Sequence, residues 1–376
     1  MGRLQSMAPQ NFMNRVSLVM PFIGIVLLIL TWGSDPSVLT SIILVVAHVL
    51  VVLMAVVHAE AIAHRVGEPL GTLVLALAIT VIEVSLIVTL MVAEGAKAET
   101  LARDTVFAAI MIVCNGVVGV SIFAAARRDH IVQFREQGAN ALLGTVALIA
   151  TLSLVIPTFT TSSVGGTFTG SQLAFSAVSS AVVYGMFVFV QAFRHRWMFL
   201  EPAALNDEAD DEHAHIVKRE MRVGRSEGLI MRSVLLLISL AGVVGLAKTL
   251  APRIEESVVW FGAPQAFVGV IIALMVLFPE SITAVRSAAK GEMQTSLNLS
   301  LGSALASIGL TIPAVAVASL WLDGPITLGL GSKEIVLLAL TVIVGTLTFG
   351  SGRATILQGA HHLAIFAAFI FLSIVP

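Results

Sequence analysis

Charge is what this chain has least of. Asp, Glu, Lys and Arg together make up 12% of its 376 residues, where a soluble domain carries about 25%. Apolar residues supply 57%, and mean hydropathy is +0.98. A water-soluble fold is therefore excluded, and the lipid bilayer is the expected surrounding along nearly the whole length. Cysteine is as scarce: Cys114 stands alone, which excludes an intramolecular disulfide and a cysteine-ligated metal centre. Enzyme motifs are missing as well. HAEAIAH at 58–64 lacks the order of H-E-x-x-H, and no other apolar run carries a nucleophile or metalloprotease signature. The first apolar run follows Arg3 and Arg15 as a signal peptide would, but TWGSDP offers no small-residue cleavage site, so it is read as a retained helix.

What is present is a series of apolar runs, about 16–32, 38–61, 70–93, 105–126, 140–157, 171–193, 229–250, 265–288, 295–320, 334–350 and 354–375, with Gly67, Pro69, Pro157, Pro252, Pro264 and Pro325 among the boundary residues. These predict an all-α polytopic membrane protein of about 11 transmembrane helices. Of the 21 Lys and Arg residues, 16 fall in alternate segments that would face the cytoplasm and 5 in the others. That bias predicts an N-terminus inside and a C-terminus outside. Such a protein is expected in a bacterial inner membrane.

Two of the runs carry an acid near the middle. Glu83 lies in LGTLVLALAITVIEVSLIVTLMVA (70–93) and Glu280 in QAFVGVIIALMVLFPESITAVRSA (265–288). A helix of that length rises about 36 Å, enough to cross a hydrocarbon core of roughly 30 Å. A bare carboxylate near the midplane costs at least about 3 kcal/mol. The two acids stand 197 residues apart, each followed by a charged hairpin and then an apolar helix with polar positions: Asn115 in IMIVCNGVVG, and Asn298, Ser303 and Ser307 in SLNLSLGSALASIGL. Five runs in each half is an odd number, so the second five enter the membrane from the opposite side. This predicts one N-terminal helix (1–35), a first repeat (36–193), a cytoplasmic linker (194–228) and an inverted second repeat (229–376). Glu83 and Glu280 are the expected cation and proton ligands, with Asn115, Asn298, Ser303 and Ser307 supplying neutral oxygens. Pro279 frees a carbonyl one turn before Glu280, for a cation or as a mere kink.

The remaining polar residues have two readings each. The linker places Asp207, Glu208, Asp210, Asp211 and Glu212 together; it is either a solvated disordered segment or a loose regulatory cation site, without the order of an EF-hand loop. His58, Glu60 and His64 are either a gate or relay or ordinary polar contacts. His361 and His362, in GAHHLAIF, are read as packing or interface residues.

GEPLGTLVLALAITVIEVSLI, FPESITAV, MQTSLNLSLGSALASIGLTIPAV and SGRATILQGAHHLAIFAAF carry a resemblance over about residues 60–375. They resemble the calcium/cation–proton exchanger branch of the Ca²⁺:cation antiporter superfamily, and within it the bacterial ChaA-type antiporters. The resemblance implies one extra helix plus two inverted five-helix repeats, with Glu83 and Glu280 as alternating cation and proton ligands. That family commonly places Gly-Asn ahead of each acid, whereas these acids sit in TVIEVS and LFPESI. The expected function is export of cytoplasmic Ca²⁺ against incoming protons, with Na⁺/H⁺ or K⁺/H⁺ exchange on the same scaffold as the alternative and a cation channel as a third class. No resident cofactor and no nucleic-acid partner are expected; the ligands are inorganic cations and protons, and a homo-oligomer is left open.

Overall fold

The computed structural model describes residues 7–34, 36–66, 78, 80–89, 91, 99–202, 228–260, 262, 264, 266–321 and 326–375. Each of the eleven apolar runs has a helix: α1 (Met7–Thr31), α2 (Val38–Val66), α3 (Thr80–Thr89), α4 (Leu101–Ala126), α5 (Glu136–Phe159), α6 (Gly170–Arg194), α7 (Leu229–Trp260), α8 (Ala266–Lys290), α9 (Met293–Ala318), α10 (Ser332–Phe349) and α11 (Ile356–Ile374). Among the described residues nine are long and apolar enough to cross a membrane; the shorter apolar stretches Val16–Thr31 and Thr80–Thr89 account for the other two. The acidic linker positions 207–212 lie outside the described residues.

The helices sort into two compact units, one of residues 1–89 with 218–256, the other of 90–217 with 257–376. The first holds α1, α2, α3 and α7. In it, Lys248 of α7 sits 5.4 Å from the ring centre of Trp32 just beyond α1, a cation–π contact at the helix ends.

The second unit holds α4, α5, α6, α8, α9, α10 and α11, and its pairings have a two-fold pattern. If α2–α6 and α7–α11 are corresponding sets, the α4–α5 loop answers to the α9–α10 loop, and the α5–α6 loop to the α10–α11 loop. In the first of these loops β1 (Val132–Gln133) pairs antiparallel with β2 (Arg353–Ala354), which lies between α10 and α11. At the other end of α5, Thr167 before α6 bridges antiparallel to Thr327 before α10. Exchanging the halves turns one pairing into the other. The close helix crossings follow the same rule. A Cβ on Gly119 of α4 would lie 2.9 Å from Leu363 Cγ and 3.1 Å from the Gly359 carbonyl of α11, and one on Gly309 of α9 would lie 2.9 Å from Tyr184 Cβ of α6. Glycine is what lets these backbones approach.

Local sequence sets the helix starts. Thr169 opens α6 and Thr355 opens α11, each with a glutamine three residues on, Gln172 and Gln358, completing a reciprocal capping box. The two boxes are 186 residues apart and mark corresponding helices. Three spans also contain a π-turn, Ile112–Val117 in α4, Thr151–Val155 in α5 and Val190–Arg194 at the end of α6. Each such turn inserts one residue into the helical ladder, a feature frequent at functional sites.

Candidate functional site

Glu280 stands fourteen residues into α8, Asn115 fourteen into α4 and Ser307 fourteen into α9. At 1.5 Å per residue each lies about 21 Å from its helix start, near half-height. The helix α8 packs against both α4 and α9, so the second unit has one polar layer at mid-depth. Glu280 is 5% exposed. Its neighbour Pro279 has no N–H to give to the Met275 carbonyl, and Thr283 Oγ1 donates to the Pro279 carbonyl at 3.0 Å. Glu83 belongs to the first unit, where it is 3% exposed, with Thr80 also buried on α3.

Hydroxyls along α4 and α9 are available to a ligand. Serine or threonine inside a helix ordinarily donates to its own i−4 carbonyl, as Ser300 does to Ser296 at 2.7 Å. Ser296, Ser303 and Thr311 on α9, and Thr105 and Ser121 on α4, have buried oxygens with no hydrogen-bond partner among the described residues. On α9 the positions 296, 300, 303, 307 and 311 recur every three or four residues, which places them on one face. Such oxygens suit a hard cation. Among the described residues no three His, Cys, Asp or Glu side chains converge as a fixed metal centre, and an ion that is cargo does not require one.

The two asparagines have other partners. Asn298 is only five residues into α9; its Oδ1 accepts from Gln294 Nε2 at 2.9 Å, and its Nδ2 donates to the Phe199 carbonyl. Its amide joins α9 to the segment that leads into the linker. Close by, the Glu201 carboxylate accepts from the backbone N–H of Thr295 at 2.7 Å and of Gln294 at 3.3 Å, closing the α9 N-terminus. Asn115 sits in the α4 π-turn. Its Nδ2 donates to Thr341 Oγ1 at 2.9 Å, and its Oδ1 faces His362 Nδ1 at 3.3 Å. His362 Nε2 lies 3.1 Å from Thr348 Oγ1. His362, read from sequence as a packing or interface residue, is part of a polar cluster. The corresponding position, seven residues after the other capping threonine, is Ser176. It donates to Ser153 at 3.0 Å, and Ser153 lies 3.1 Å from Ser180.

In the first unit, His58 is fully buried, with Nε2 2.9 Å from the Ser17 carbonyl and Nδ1 3.2 Å from Arg232 Nη1. The carbonyl can only accept and the guanidinium can only donate, so the ring is the neutral Nε2–H tautomer. Ser17 has a carbonyl to offer because position 21, four residues on in α1, is proline. Arg232, counted from sequence among the loop charges, is 6% exposed. It points inward, where His58 offers it an acceptor. This arrangement ties α1, α2 and α7 together. Glu60 is half-buried on α2, and the His64 side chain lies outside the described residues.

Residues 36–193 and 232–375 match the family model described as sodium/calcium exchanger protein. The chain is 44% identical over 325 residues, 86% of either protein, to a putative ionic transporter of Sinorhizobium fredii. It is 34% identical over 361 residues, 95% of either protein, to the sodium-potassium/proton antiporter ChaA of Escherichia coli. Among solved structures it resembles native YfkE at a TM-score of 0.71 and 17% identity, over 96% of this chain and 99% of that one. It also resembles the H⁺/Ca²⁺ exchanger CAX at 0.70 and 14%, over 97% and 89%. The structural likenesses establish the fold, and the named relatives are transporters rather than enzymes.

Proposed function

The chain belongs to the sodium/calcium exchanger family, and from that premise we propose that it is a proton-coupled cation antiporter whose Glu83 and Glu280 bind cation and proton in turn. The observation that carries this reading is the burial of both carboxyls, 3% and 5% exposed, in helices that otherwise suit lipid. Taking a carboxylate out of water is costly unless its charge is cancelled. Cancelling it takes either a proton or a cation, and one excludes the other at the same oxygens. A site that crosses only when discharged must return with the alternative ligand, which makes the flux an exchange and not a leak.

Our first reading of the cargo is Na⁺ or K⁺, supported by the sodium-potassium/proton antiporter that aligns over 95% of both chains. Ca²⁺ export is the second reading. Two carboxyls match one divalent ion against two protons, and relatives at 24% and 23% identity are a Ca²⁺/H⁺ antiporter and a vacuolar calcium ion transporter. The bias of Lys and Arg supports a cytoplasmic N-terminus and linker in a bacterial inner membrane, with the two sequence halves as inverted repeats. The experiment is proton release from acid-loaded inside-out vesicles on adding Na⁺, K⁺ or Ca²⁺, read with a pH-sensitive dye. Saturable release with Na⁺ or K⁺ supports the first reading and with Ca²⁺ alone the second. Cation entry that moves no protons would overturn both in favour of a channel.

A further inference from the structure

We propose that His362 is a positioning residue for cation exchange: through Asn115 it holds the π-turn of α4 against α8, the helix that carries Glu280. The inference rests on the exchange reading above. The hydrogen bonds around His362 run in a single direction. Thr341 Oγ1 donates to the Leu337 carbonyl at 2.8 Å, so it is an acceptor for Asn115 Nδ2 at 2.9 Å. With its nitrogen donating there, Asn115 presents Oδ1 to His362 Nδ1 at 3.3 Å, and Nδ1 must carry the hydrogen. Nε2 then accepts from Thr348 Oγ1 at 3.1 Å. The ring is neutral in this arrangement, and every one of its polar atoms is used.

The chain of bonds crosses three helices, α11, α4 and α10, and its middle member is in the π-turn Ile112–Val117. A π-turn rotates everything before it relative to everything after it, and it is less favourable than plain α-helix unless its surroundings hold it. Here they do. The His362 ring is 1% exposed and stacks on Phe349 with centroids 6.1 Å apart and planes at 23°, which fixes the direction of Nδ1. The same π-turn packs on α8 and α9, where Glu280 and the open hydroxyl of Ser303 lie. A change in the turn would shift the faces that α4 presents to those helices.

The counterpart cluster shows that the location is not an accident of one helix. Ser176, matched to His362 by the capping boxes, also bonds to a residue in a π-turn, Ser153. Only the His362 cluster contains a ring locked by stacking, and only there is the π-turn on a helix that packs against α8.

The test uses full-length protein in inside-out vesicles at matched amounts, with whichever of Na⁺, K⁺ or Ca²⁺ drives proton release in the parent. Half-saturating cation concentration and maximal rate are measured for His362→Ala, Asn115→Ala, the double variant and His362→Asn. Loss of one positioning bond is expected to raise half-saturation about tenfold while the maximal rate stays within about twofold. The double variant should be less impaired than the product of the two single effects, because His362 holds the turn through Asn115 as well as against the Cys114 backbone. His362→Asn, which keeps an N–H where Nδ1 stood, should restore the parent value, and this rescue guards against a mere folding defect. Multiplying defects in the double variant, failure of the rescue, or a shifted pH profile in His362→Asn would each overturn the inference. A parent protein that releases no protons would instead refute the exchange reading itself.

Discussion

Replacing His58 with leucine should destabilise the first unit by about 2–4 kcal/mol, for a reason that begins with Pro21. In α1 the Ser17 carbonyl would ordinarily accept from the N–H of residue 21, but proline has none. His58 Nε2 fills that place at 2.9 Å, and its Nδ1 accepts from Arg232 at 3.2 Å. Leucine keeps most of the volume and removes both bonds. A buried carbonyl left without a donor costs about 1–3 kcal/mol, and a hydrogen bond to a charged group contributes about 1.5–3 kcal/mol. The sum is trimmed because side-chain bonds within membranes average nearer 0.6 kcal/mol. The assay is thermal unfolding of the detergent-purified protein, followed by size-exclusion chromatography. The decisive variant is Pro21→Ala, which returns an N–H to the Ser17 carbonyl. In the His58→Leu background it should recover about 1 kcal/mol more than it gains in the parent. Any general benefit of losing a mid-helix proline cancels in that comparison. Equal effects of Pro21→Ala in both backgrounds would refute the account of what His58 does.

The two-fold pattern of the second unit predicts that Gly119→Ala and Gly309→Ala behave alike. Each new Cβ would meet α11 or α6 at about 2.9 Å, and each should lower stability by about 1–3 kcal/mol through overpacking, measured by the same unfolding assay; a neutral result at either would contradict the close crossing. Glu201→Ala should uncap α9 at the Gln294 and Thr295 N–H groups, costing about 1 kcal/mol and speeding amide exchange in the first turn of α9 relative to its middle. Unchanged exchange there would show that the cap does not hold in the membrane.

Much of the fold was legible in the chain because lipid imposes one rule everywhere: backbone polar groups must be paired within the segment, so long apolar runs become helices. Glu83 and Glu280 stood out because acids are expensive in such runs. The capping pairs Thr169 with Gln172 and Thr355 with Gln358 were equally visible, and aligning them would have marked α6 and α11 as counterparts and singled out His362. Other features had no local signal. Asn115 reads as a cation ligand with no hint that its amide also meets Thr341 and His362, which lie 226 and 247 residues away. Arg232 reads as a loop charge until His58, 174 residues distant, is seen to face it. Proline in α1 hints at a free carbonyl but cannot say which side chain meets it. The π-turns leave no mark in hydropathy at all.

The most direct test of the central claim is cation-driven proton release from acid-loaded inside-out vesicles containing Glu83→Gln, Glu280→Gln or the parent protein at equal amounts. Glutamine keeps the size and the oxygen of each side chain but can neither ionise nor take up the proton. The account predicts that either substitution abolishes release by Na⁺, K⁺ and Ca²⁺ alike while the protein still purifies as a folded species. Release that persists at the parent's rate in either variant would contradict it.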